Sequence, residues 1–124
     1  MAGISVEKAK YVEYSGFQEL RDKLTEEGFQ VFTWQDAPGE YHSEHSHPSD
    51  EVVVVSSGKI IFTIGDASYE LEPGDALNLP ANTVHTASNQ ERMPACYFIC
   101  TRTTEGSQEQ APSNVFGTDL TQTS

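Results

Sequence analysis

The chain has 124 residues, enough for one domain around one core. Lys and Arg total 7 against 19 Asp and Glu, a formal charge of −12. That balance argues against nucleic acid and anionic membrane as partners, because both require a clustered basic surface. With 36% hydrophobic residues the core must be economical, and no apolar run approaches the roughly 20 residues of a membrane span.

The first ten residues, MAGISVEKAK, lack the apolar stretch of a signal peptide, so a cytoplasmic location is expected. Tyr11-Val12-Glu13-Tyr14 reads as a short edge strand. Ser15 stands at an N-cap position with Gln18 three residues on, the capping-box spacing. Phe17, Leu20 and Leu24 recur at helical spacing through Glu27, and Gly28 is a suitable stop. This short amphipathic helix is expected to pack on the outside of a barrel and to carry no chemistry.

Phe29–Gln35 changes to strand composition, with Phe32 and Trp34 on one face. Trp34 is a candidate for lining a pocket, with core packing as the competing reading. A turn at Asp36–Gly39 leads into GEYHSEHSHPSDE, where His45 and His47 lie two apart and Glu51 follows. In a strand such a pair projects from one face about 7 Å apart along the chain. Two readings stand here: a solvated loop, or half of a shell for a divalent metal. A further ligand from elsewhere in the chain would decide between them. His42 and Glu44 fall out of phase with the pair: His42 is expected at the solvent or the rim, with support of a ligand from behind as the competing reading, and Glu44 is expected in solvent.

Val52–Val55 is apolar on both faces, which requires a cover on its outer side, either another layer or another subunit. A homodimer is the expectation drawn from it. Ser56–Lys59 reads as a hairpin turn into Ile60–Ile64, and Gly65-Asp66 turns again into Ala67–Glu72. Pro73-Gly74-Asp75 precedes Ala76–Leu79, and Val84–Ala87 and Ala95–Thr101 complete the strands. Many short strands with turns between them indicate an all-β sandwich or barrel. Cys96 and Cys100, on one strand, would have Cα atoms about 13 Å apart, too far for a disulfide, so both are expected as reduced core residues. From Thr103 onward the chain is rich in Ser, Thr and Gln and is expected to be mobile, with Val115, Phe116 and Leu120 as candidates to anchor part of it.

The remaining histidine, His85, ends a segment that opens with Gly74. Gly39, His45, His47, Glu51 and Gly58 are spaced as in the first signature motif of the cupin superfamily, and Gly74, Pro80, His85 and Asn89 as in the second. One position departs: Asn82 stands where that family has Gly, and Asn is the residue that best tolerates the left-handed backbone after Gly. The chain therefore resembles a small single-domain cupin. The resemblance implies a jelly-roll barrel of two antiparallel sheets over residues 29–102. An N-terminal strand and helix (residues 1–28) would pack on it, and a polar tail would follow from 103 to 124.

It further implies one divalent transition metal (Fe, Mn, Ni, Zn or Cu) held by His45, His47, Glu51 and His85. Coordination positions would stay open for a small-molecule ligand or substrate. Glu51 would also be a candidate proton shuttle. Tyr41, Phe62, Tyr97 and Ile99 are further candidates for the pocket wall, against plain core packing, and Asn89 is read as stabilising a turn. Two functions follow from the resemblance: a metalloenzyme of dioxygenase or isomerase type, or a non-catalytic cupin that binds or senses a small ligand.

Overall fold

A computed structural model describes residues 3–102. Nine strands and one helix follow one another as β1 (Ser5–Glu7), α1 (Phe17–Glu26), β2 (Phe29–Asp36), β3 (Tyr41–His45), β4 (Glu51–Ser57), β5 (Ile60–Ile64), β6 (Ala67–Leu71), β7 (Ala76–Leu79), β8 (His85–Ser88) and β9 (Ala95–Arg102). They form two antiparallel sheets, β1-β7-β4-β9-β2 and β3-β8-β5-β6, the jelly-roll barrel expected of the sequence. No helix among the described residues is long and apolar enough to cross a membrane. The tail beyond Arg102, including Val115, Phe116 and Leu120, lies outside the described residues.

The alternation of side chains on β4 and β9 explains how so modest an apolar content suffices. Val53 and Val55 face the other sheet together with Tyr97 and Ile99, and there they meet Ile60, Phe62, Leu71 and Ala87. Val54, Phe98 and Cys100 face outward, where Leu20, Leu24 and Tyr11 cover them in a second core. The doubly apolar strand is thus buried on both sides within one chain. Since α1 occupies the outer face, β4 offers no argument for a second subunit. Both cysteines are free, and burial pushes the Cys100 thiol up to about 12, as befits an inert core residue.

Several local expectations are corrected. Tyr11–Tyr14 is a pair of turns, not a strand: Val12 N donates to Ala9 O and Tyr14 N to Tyr11 O. Tyr11 is needed under the helix, where its hydroxyl donates to Glu27 Oε1 at 2.6 Å, and the edge of the sheet is taken by β1 against β7. Gly16, not Ser15, caps α1, with no side-chain cap bond, and Gln18 donates to Asp22 instead of closing a capping box.

The turn at Gly58 does not fold β4 back on β5. It carries the chain from one sheet to the other, so β4 pairs with β7 and β9 while β5 pairs with β6 and β8. Gly58 is required there twice over: its φ is +79°, and a Cβ would collide with the backbone of Pro94 and Ala95. By contrast Gly65-Asp66 is a true two-residue hairpin between Ile64 and Ala67.

Candidate metal centre

His45 ends β3 and His85 begins β8, and the two stand directly opposite in the antiparallel pair. His47 lies just beyond β3, where the chain bends through Pro48–Asp50. The three rings converge, with centroid separations of 4.4 Å for His45–His85, 5.0 Å for His45–His47 and 5.4 Å for His47–His85. One nitrogen from each lies within 4.8 Å of the others. A metal ligated by imidazole sits about 2.0–2.1 Å from each nitrogen, so this grouping is compatible with three donors around one ion.

Two of the rings are oriented by the backbone. His45 Nδ1 donates to the Ser43 carbonyl, and His85 Nδ1 donates to the Thr83 carbonyl at 2.8 Å. A proton on Nδ1 leaves Nε2 as the lone pair, the tautomer a metal requires. Burial holds both imidazoles neutral. It lowers His45 below its ordinary value, against the Ser43 carbonyl and with help from His42. It lowers His85 to about 4, against the Thr83 carbonyl and with help from His45. Phe62 stacks behind His85, 5.7 Å between centroids and 29° between planes, and closes that side of the cluster to water.

Glu51 opens β4 on the facing sheet. β4 keeps regular register with β7 from Glu51 to Val54, so Glu51 shares the inward face of Val53 and Val55. It is only 4% exposed, and its Oε2 is buried with no hydrogen-bond partner. Burial raises its carboxyl to about 8. The histidine group within 4.8 Å does not include this carboxylate. What the structure assembles is therefore three imidazoles together and an orphaned carboxyl on the opposite wall.

Other residues fall differently from expectation. His42 is not at the rim; it is buried, with Nε2 3.0 Å from both carboxylate oxygens of Asp36. Register shifts between His42 and His45, which turns His42 inward where regular alternation would turn it out. Tyr41 is 62% exposed and is no part of an interior wall. Phe62 and Tyr97 are fully buried and meet edge to face at 6.4 Å, while half-buried Trp34 and buried Ile99 pack in the inter-sheet core. Asn89 holds a turn as expected: its Nδ2 donates to the carbonyls of Asp36, Ala37 and Met93, and its Oδ1 accepts from Glu91 N.

Asp36 was missed altogether. It is completely buried and accepts from Tyr97 Oη at 2.9 Å as well as from His42. In the sequence it looks like one more residue of an Asp-Ala-Pro-Gly turn, and no spacing rule singles it out.

The family model for the cupin domain matches residues 32–101 of this chain. Among characterised relatives, the acireductone dioxygenase of Exiguobacterium sibiricum is 39% identical over 56 residues, which is 41% of this chain and 31% of that protein. The acireductone dioxygenase of Bacillus thuringiensis is 37% identical over 71 residues, 53% of this chain and 42% of that protein. The chain thus spans well under half the length of either relative. A cupin superfamily protein from Desulfitobacterium hafniense superposes with a TM-score of 0.54 at 24% identity, covering 61% of this chain and 68% of the other. That last likeness is one of fold.

Proposed function

From the membership of this chain in the cupin domain family, we propose that it is a metal-dependent enzyme acting on a small organic molecule, with chemistry of the dioxygenase type. The ligands in this reading are His45, His47 and His85, with Glu51 as the fourth. The observation that carries it is the convergence of three imidazoles, two of which burial shifts toward the neutral form and backbone carbonyls engage at Nδ1, which leaves Nε2 with its lone pair. The donor set fits the group. Three nitrogens and an oxygen suit first-row divalent ions, and a cation nearby would satisfy the orphaned Oε2 of Glu51.

A divalent ion bound there would supply Lewis-acid character toward a chelating substrate or toward dioxygen. The chain's own residues supply the rest. Phe62 keeps water from the rear of His85. Glu51, with its carboxyl raised to about 8, holds a proton near neutrality and can pass it to or from a bound molecule whenever it is not itself a ligand. The two acireductone dioxygenases support this reaction class, over the matched stretch only. We place the protein in the cytoplasm, consistent with its two free cysteines.

The test begins with elemental analysis of freshly purified protein beside His47→Ala. About one equivalent of a transition metal in the first and little in the second is the expected result. Protein loaded anaerobically with Fe(II) is then offered oxygen with diols, thiols and β-diketones. Absence of metal uptake overturns the reading. Tight saturable ligand binding without turnover assigns the site to a binding or sensing module instead.

A further inference from the structure

β3 contains one residue too many. His42 stands opposite Ala87 and His45 opposite His85, so three steps along β3 match two along β8. That is a β-bulge. In a regular strand residues an odd number apart face opposite sides. Here Ser43 and Glu44 are both exposed, His42 is buried and His45 is half-buried, so the bulge turns both histidines into the barrel.

Nothing in Ser43-Glu44 demands this. Neither is a glycine, and β3 is the end strand of its sheet, paired on one side only, where register is weakly specified. A pin lies at the end of β2. Both oxygens of the buried Asp36 carboxylate sit 3.0 Å from His42 Nε2, and Oδ2 also accepts from Tyr97 Oη at 2.9 Å. Were β3 to slip by one residue, His42 would leave the interior and this carboxylate would lose one of its two donors, a heavy penalty at a site without solvent.

We propose that Asp36, His42 and Tyr97 form a register clamp for the metal centre: by holding His42 inward they fix the bulge, and the bulge aims His45 at His47 and His85. The proposal rests on reading those three histidines as ligands. The bulge also presents the Ser43 carbonyl to His45 Nδ1, so ring orientation depends on the same register. The clamp residues are positioning residues and hold no metal themselves. Asp36, Glu40 and His42 do lie within 4.8 Å of one another, but both Asp36 oxygens already accept hydrogen bonds.

The test uses the full chain, with Co(II) affinity from calorimetry and the visible Co(II) absorption as a report of ligand number. Urea unfolding of the metal-free protein is followed in parallel. Asp36→Leu, His42→Leu and Tyr97→Phe together remove the network without leaving a buried charge unpaired. This triple variant is expected to bind Co(II) at least about tenfold more weakly, the usual scale for loss of an outer partner. Adding His45→Ala to it should weaken binding no further than His45→Ala alone, because the clamp acts through that ring.

Deleting Glu44 makes the His42–His45 spacing even, so both rings face inward without a bulge. That deletion is expected to restore affinity to the triple variant, which a general loss of stability would not allow. Should the triple variant fail to fold, Asp36→Asn carries the test, by the same comparison with His45→Ala. Wild-type affinity in the clamp variants, losses that add in full to His45→Ala, or no rescue by the Glu44 deletion each overturn the clamp. A wild-type protein that takes up no Co(II) overturns the metal reading itself, a result separable from the others.

Discussion

The backbone amide of Asn82 donates to the carbonyl of His47 at 2.6 Å, and it does so from a left-handed conformation, with φ at +63°. The loop that delivers His85 is thereby tied to the loop that delivers His47. Asn82 occupies the one motif position where the cupin pattern has glycine. The conformation survives the change, because Asn tolerates the left-handed region best after Gly. Asn82→Gly is therefore expected to change stability by less than about 1 kcal/mol. Asn82→Val, a β-branched residue forced to positive φ, should lose about 1–3 kcal/mol and weaken metal binding by displacing His85 from His47. Urea unfolding and a metal titration of the two variants check both statements.

Two buried groups of the candidate site make the metal-free protein sensitive to pH from opposite sides. Burial raises Glu51 from 4.5 to about 8, so between those values the folded chain keeps a proton that the unfolded chain has released. Stability therefore falls as pH rises through that window. Burial likewise takes His85 from 6.5 down to about 4, so there the unfolded chain holds the extra proton and stability falls as pH drops. Glu51→Gln should abolish the loss between pH 6.5 and 8 and leave the acid loss in place; His85→Gln should do the reverse. Urea midpoints of the metal-free proteins at pH 5.5 and pH 8 would contradict this if both variants kept the wild-type profile.

A third pH effect arises far from the histidines. Asp75 accepts hydrogen bonds from the backbone amides of Ala9 at 2.7 Å and Glu72 at 2.8 Å, and from the Lys8 ammonium. Burial alone would raise its carboxyl, but these donors outweigh it and hold it below the ordinary 3.8. Its contribution is present above that ordinary value and is lost as pH falls through the lowered one. Asp75→Asn, unable to receive all three donors as a charge, should lose about 1–3 kcal/mol at pH 7. That difference should shrink as pH falls below 3.8 toward and through the lowered value, which denaturation at pH 7 and at a series of acid pH values measures.

How much of this could be read from residues alone depended on whether the information was local. His45, His47 and His85, which the structure brings together, are marked by spacing within short segments, and the helix by Phe17, Leu20 and Leu24, so these were legible. Features that depend on a partner strand were not. The Ser56–Lys59 turn has hairpin composition, yet its chain crosses between sheets, because turn residues encode a reversal and not the neighbour it leads to. His42 was sent outward by alternation, which holds only in the absence of a bulge, and the bulge is defined by β8. The buried carboxylate of Asp36 meets His42 and Tyr97, which reach it from two other strands, and neither contact is visible in its own segment. Ser15 has the right chemistry for a cap, but the helix begins after Gly16, where the backbone leaves the helical region at φ −84° and ψ 149°.

The outer core raises the last prediction. Leu24 is fully buried and Leu20 nearly so, and both cover the outward residues Val54, Phe98 and Cys100 of sheet β1-β7-β4-β9-β2. Leu24→Ala should destabilise the protein by about 2–5 kcal/mol through lost burial and the cavity left behind. It should leave the inter-sheet core and the three histidines in place, because that core is built from the opposite faces of β4 and β9. Loosening α1 would also bare the outward apolar residues Val52 and Val54, and a patch of that kind invites self-association. Sedimentation at micromolar concentration is thus expected to show Leu24→Ala forming larger species than wild type while retaining its metal. A variant equally stable and no more associated than wild type would mean that α1 is not what keeps the outer face of β4 from water.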